Sequence, residues 1–186
     1  MKKTVILLLS AILLISTGCS TGKTVSATSS VTEGTASVDK MEYEFYVESF
    51  NFYMDSYTDT SEKQQEVMEK LNQTTSAENV NFEELKKVYE LCISALDDFY
   101  ELSCPENIKA EHEEFMAQIE TEKEIYELML RQIYFEENKE TLTDAEKEEQ
   151  TTVSERLTKL LTFDENAPTL WDLRTKVIDA AYKYCG

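Results

Sequence analysis

The chain holds one histidine, His112, and that limits the chemistry its residues can do. Zinc motifs that need two histidines are excluded, and so is a di-iron bundle site built on Glu-x-x-His from two helices. A Ser-His-Asp or Cys-His arrangement would have to use His112. That residue falls on an apolar helical stripe, where a hydrogen-bonded histidine near a bundle end is the plain expectation and its titration would tune stability. Glu122 falls on the same stripe. A carboxylate in a core is costly unless paired, so Glu122 either reaches out at the edge, pairs with a lysine, or marks a polar pocket between helices. Paired acids serve glycoside hydrolysis, but among 37 acidic residues spacing singles out no pair. The run Asp144 to Glu149, DAEKEE, lacks the alternating oxygen ligands and central glycine of a calcium loop and reads as a solvated helix face. No residue set calls for a metal ion or a cofactor.

The elements that position these residues are helices. Residues 40–185 contain no glycine, and the two prolines are Pro105 and Pro168. Hairpins, phosphate loops and dinucleotide fingerprints all use glycine for positive φ or close approach. A glycine-free stretch rich in Glu, Lys, Leu and Met therefore predicts an all-α domain, an antiparallel bundle of about four helices with the last one broken near 164–168. Asn81 with Glu84 predicts a capped helix start near residue 82, with Leu85, Val88, Cys92, Leu96, Phe99 and Leu102 at helical spacing. Ser103 and Cys104 form a turn, and Pro105 suits the first turn of a third helix running to about 138. Its stripe is Ile108, His112, Phe115, Ile119, Glu122, Tyr126, Met129 and Ile133. Thr143 with Glu146 predicts a further start, continued by Leu157, Leu160 and Leu161, after a polar stretch open to helix or loop. Asn166 and Pro168 begin the last helix, with Trp171, Ile178 and Cys185 seven apart.

The first helix, about 40–72, carries two apolar faces. At a helical advance of about 100° per residue, Tyr43, Tyr46, Val47, Phe50, Met54 and Tyr57 share one side, and Met41, Phe45 and Phe52 share the opposite one. Either the late C-terminal helix or a tether segment covers the second face, or it is an exposed patch for a ligand, a glycan or a second copy.

The amino-terminal residues 1–18 read as a signal peptide: Lys2 and Lys3, then about a dozen apolar residues, then small ones. The run is shorter than the 20 or so residues a spanning helix needs. Its end, Ile15-Ser16-Thr17-Gly18-Cys19, resembles a bacterial lipobox, although Ser16 stands where Leu, Val or Ile is preferred. The resemblance implies that the Cys19 sulfur receives a diacylglycerol after the preceding peptide is removed. Two acyl chains anchor stably where one does not. Residues 20–39, rich in Ser and Thr, then form with Cys19 a tether spanning about 25 Å, ahead of a helical domain at 40–186.

Four cysteines are present. With Cys19 lipidated, the others meet an oxidising compartment. In an up-and-down bundle the turn after helix two and the end of the last helix share one end, which predicts a Cys104–Cys185 disulfide. Cys92 lies about 15 Å along helix two, too far for either.

Residues 104–134, CPENIKAEHEEFMAQIETEKEIYELMLRQIY, resemble a pattern in small helical lipoproteins of Gram-positive bacteria. There a proline opens a helix, an apolar residue follows three later and a histidine four after that, as do Pro105, Ile108 and His112. The resemblance implies a surface lipoprotein with a helical domain and supplies no catalytic residues.

Charge narrows the partners. A net charge of −19 repels phosphate backbones and excludes nucleic acid as a natural partner. The expectation is a lipid-anchored, non-enzymatic interaction or ligand-binding module at the extracytoplasmic face of the cell membrane. Its partner would be a protein, a cell-wall component or a second copy. Two alternatives stand beside it: a cell-wall-directed hydrolase using carboxylates in a helical cleft, and a leader that yields a short hydrophobic pheromone from residues 11–18. A convergent pair of acids in a deep pocket favours the hydrolase, and a flat face bearing Met41, Phe45 and Phe52 favours binding.

Overall fold

The computed structural model of the chain describes residues 36–73, 81–162 and 167–185. The expected signal peptide, its segment 11–18, Cys19, the tether up to residue 35, and Asn166 lie outside the described residues. Five α-helices account for most of the rest: α1 (Ala36–Gln73), α2 (Phe82–Asp97), α3 (Lys109–Glu137), α4 (Asp144–Leu160) and α5 (Leu170–Cys185). Among the described residues there is no strand, so the domain is all-α, as its lack of glycine predicts. The helix α1 opens at Ala36, inside the stretch expected to be tether.

Local signals set the helix ends. The Asn81 side chain accepts from the Glu84 amide and starts α2. Thr143 and Glu146 form a reciprocal capping box that starts α4, and the polar stretch before it is a turn at 138–143. Pro105, at φ −62° and ψ 140°, precedes a single 3-10 turn, Glu106–Ile108, before α3 begins at Lys109. The start of α5 departs from expectation. Thr169 accepts from the Asp172 amide at 3.2 Å, and Asp172 accepts from the Thr169 amide at 2.9 Å. Pro168 therefore sits outside the helix, before the cap, rather than within its first turn.

Antiparallel neighbours are fixed by contacts at both ends. The Tyr89 hydroxyl donates to the Met68 sulfur at 3.7 Å, and Phe99 packs edge-on to Phe50 with ring centroids 5.6 Å apart, so α2 runs back along α1. Phe115 of α3 closes the aromatic cluster, 4.7 Å from Phe50 and 5.2 Å from Phe99. All three rings are fully buried, each contributing about 1.5–3 kcal/mol of apolar transfer. The α3 stripe lies as its spacing dictates: Ile108, Phe115, Ile119, Tyr126, Met129 and Ile133 are buried, with Glu122 among them and His112 half-buried.

The remaining two helices pack differently. α4 packs chiefly on α3, held by two forked ion pairs, Arg131 with Glu149 and Arg156 with Glu124. Beneath its start, Phe135, Leu142 and Val153 form a small second core. α5 packs on both α1 and α3. Arg174 donates to the Asn51 side chain at 2.8 Å, Lys176 pairs with Glu114, and Tyr184 stacks on Tyr43 at 4.7 Å. The single broken helix expected from sequence is thus two helices with different neighbours, separated by residues 161–169.

Candidate functional site

Residues of α1 and α3 come together with the end of α4 and the start of α5 around one part of the interior. At that level the apolar stripe of α1 turns polar. Tyr57 is followed by Thr60 and Gln64, all buried, before Val67 and Met68 resume the core. On α3 the same level carries Gln118 and Glu122. A cavity of about 320 Å³ lies here. Its floor is Glu122, Tyr57, Tyr126 and Gln64, its apolar wall includes Ile125, Leu160 and Leu161, and Trp171 stands at the first turn of α5.

The floor is a hydrogen-bonded network. The Gln118 amide donates to Glu122 Oε1 at 3.2 Å. The Tyr126 hydroxyl donates to Gln64 Oε1 at 3.1 Å and lies 3.4 Å from the Tyr57 hydroxyl. Thr60 donates back to the Tyr57 carbonyl at 2.8 Å, and the Cys92 thiol reaches the Thr60 carbonyl at 3.9 Å. Glu122 is 6% exposed. Burial raises its carboxyl above the ordinary range, while hydrogen bonds from Gln118 and Tyr57 pull the other way. Burial also keeps both phenols protonated and pushes the Cys92 thiol up to about 11. No lysine or arginine pairs with Glu122 among the described residues. Of the three expectations for this residue, the polar pocket is the one the fold adopts.

Sequence reasoning missed Tyr57, Tyr126 and Gln64 as members of the site. The two tyrosines read as core, because a phenol ring fills an apolar stripe wherever its hydroxyl points. The available signal was a shared one: polar residues interrupt the stripes of α1 and α3 at matching depth.

The other expected positions lie elsewhere. Met41, Phe45 and Phe52 are 67%, 68% and 69% exposed on the outer side of α1. The C-terminal helix does not cover them; α5 packs against the inner side, where Tyr43 is buried beneath Tyr184. His112 is half-buried at the opposite end of α3 from the α4 turn. Its Nδ1 is 2.8 Å from the Tyr46 hydroxyl, and burial lowers its proton affinity. Among the described residues no group of His, Cys, Asp and Glu is placed to hold a metal ion.

Cys92, Cys104 and Cys185 are free thiols in this structure, without the expected Cys104–Cys185 disulfide. The two do belong to one end of the fold: Tyr43 accepts from Asn107, just after Cys104, and stacks on Tyr184, just before Cys185. Their thiols face different neighbours, however. Cys104 donates to the Pro105 carbonyl at 3.4 Å within its own turn, among Glu106 and Glu113, whereas Cys185 lies by Glu44 and Lys40 of α1. Burial and the nearby carboxylates raise both thiols, Cys104 to about 11, so neither is a ready thiolate.

No family model matches the chain, and no curated protein or solved structure matches it either. Among the described residues no helix is long and apolar enough to cross a membrane.

Proposed function

We propose that this protein is a lipid-anchored, extracytoplasmic ligand-binding module without enzymatic activity, and that its ligand occupies the cavity floored by Glu122. The fold is read as an antiparallel bundle whose fourth place α4 and α5 share. The observation that carries the proposal is a buried carboxyl, with no countercharge among the described residues, at the bottom of a cavity of about 320 Å³. Such a group is costly to bury and is retained where it orients a bound molecule. Among the described lining residues the other carboxyl, Glu62, is exposed on the rim. One buried and one exposed acid favour binding over the two-carboxylate hydrolysis of a glycan.

The anchor rests on Lys2, Lys3, the apolar run and Gly18-Cys19. Fractionation of cells carrying Cys19→Ala tests it: the protein should move from the membrane fraction to the medium. For the site, the protein purified from its own cells should carry a stoichiometric small-molecule adduct in native mass spectrometry. Ile125→Phe, which fills the cavity wall, should abolish the adduct. Membrane retention without Cys19 defeats the anchor, and an adduct that survives Ile125→Phe defeats the site.

A second reading has its own observation. Met41, Phe45 and Phe52 stand on one face of α1, each about two-thirds exposed. An apolar stripe of this kind suits a protein or cell-wall partner, or a second copy of the chain.

A further inference from the structure

The chemistry of the cavity lining goes further than the presence of a ligand. None of the described residues that line it is basic, and two of them, Glu122 on the floor and Glu62 on the rim, carry carboxyls. An anionic ligand would find no cationic partner, and its charge would sit beside Glu122. The floor has acceptors to spare. Glu122 accepts from the Gln118 amide at Oε1 and from the Tyr57 hydroxyl, and a carboxylate has further lone pairs beyond these two. Gln118 has its own side-chain carbonyl free of that bond. Gln64 Oε1 accepts from Tyr126 and has a second lone pair. An ammonium group carries three donors and no acceptor, which is the complement of this set.

The walls point the same way. Among the described residues, the rings of Tyr57, Tyr126 and Trp171 line the cavity. Aromatic faces attract cations, most strongly where water is excluded. Ile125, Leu160, Leu161 and Leu170 add an aliphatic stretch of wall that suits a hydrocarbon body. The whole chain carries a net charge of −19, and an acidic surface concentrates cations around a cleft. The volume, about 320 Å³, is at the small end for ligand sites.

We infer that the cavity takes a small organic cation, an ammonium with an apolar body, whose charged group pairs with Glu122 while its hydrocarbon part lies against Ile125, Leu160, Leu161 and Trp171. This rests on the reading of the cavity as the binding site, and it adds the class of ligand.

Trp171 is the one tryptophan in the chain and stands in the cavity wall, so its fluorescence reports occupancy. The full chain is titrated with three probes of equal length at constant ionic strength: n-hexylammonium chloride, 1-hexanol and sodium hexanoate. The expected result is a saturable change with hexylammonium, at an affinity about tenfold or more above that for hexanol, and no change with hexanoate. Glu122→Gln should weaken hexylammonium about tenfold or more and leave hexanol within about twofold. If hexanol or hexanoate binds as well as hexylammonium to the unaltered protein, the cation inference falls and the cavity stands as a binding site. If none of the three moves Trp171, both fall. The three-probe comparison decides the matter whether or not the variant folds.

Discussion

The Tyr46 hydroxyl lies 2.8 Å from Nδ1 of His112 and joins the middle of one apolar stripe to the start of another. A hydroxyl donating to Nδ1 needs that nitrogen unprotonated, which suits a neutral imidazole with its proton on Nε2. Burial lowers the folded-state proton affinity of His112 below the ordinary value of 6.5, against a smaller opposing effect of Glu113. The unfolded chain therefore takes up the proton first. The stability from this site is complete above about 6.5 and is lost as the pH falls through the folded value. The single histidine should titrate below 6.5 in the folded protein by NMR, and near 6.5 after denaturation. In His112→Gln, the part of the acid destabilisation that falls just below that pH should disappear.

Glu122 gives the opposite sign. Its folded-state affinity for a proton is raised by burial, so ionising it costs stability. That cost is absent below about 4.5, where both states are protonated, and is present in full above the folded value. Glu122→Gln keeps the shape and an acceptor for Gln118 and Tyr57 while removing the charge. In the ligand-free protein it should raise Tm by roughly 2–4 °C at pH 8, about 1 kcal/mol, and leave Tm unchanged at pH 4. A lower Tm at pH 8 would mean that the ionised carboxylate is a net stabiliser. A more stable variant that binds less well is the usual pattern at a binding site.

The three thiols of the domain differ in access. Cys92 is buried against the Thr60 carbonyl, and Cys104 and Cys185 are half-buried. Iodoacetamide under native conditions should modify Cys104 and Cys185, slowly because both thiols are held protonated, and should reach Cys92 only on unfolding. Intact mass should be the same with and without reductant. A gain of two hydrogens on reduction would restore the Cys104–Cys185 bridge.

The outer face of α1 separates partner binding from folding. Phe45→Ser with Phe52→Ser removes two rings that are about two-thirds exposed, so stability should change by less than about 0.5 kcal/mol for each. Crosslinking on intact cells should lose a captured species in this variant. Unchanged capture together with unchanged folding would leave the stripe without a role.

The parts of the fold legible in the sequence were those fixed by short-range chemistry. The caps at Asn81 and Thr143 can be read because side chain and amide lie three residues apart. The α3 stripe can be read because eight positions keep one period. The start of α5 misled because Pro168 and Asn166 carry ordinary start signals, while Thr169 with Asp172 makes the actual cap. The cavity was legible only through Glu122. Its other members become polar partners through contacts between helices: Tyr126 with Gln64 spans 62 positions and Tyr57 with Tyr126 spans 69. Local periodicity carries no record of such distances. The same limit explains the cysteines, since sharing one end of a bundle does not aim two thiols at each other.

Both lips of the cavity are helix termini: the last turn of α4, with Leu160 and Leu161, and the first turn of α5, with Leu170 and Trp171. Terminal turns unwind at far lower free energy than packed helix centres. Admission to the interior then requires fraying two ends rather than prising neighbouring helices apart. Entry and exit can thus be quick while the Phe50, Phe99 and Phe115 cluster stays shut, and the amides around the two lips should exchange with solvent long before those beneath the aromatic cluster.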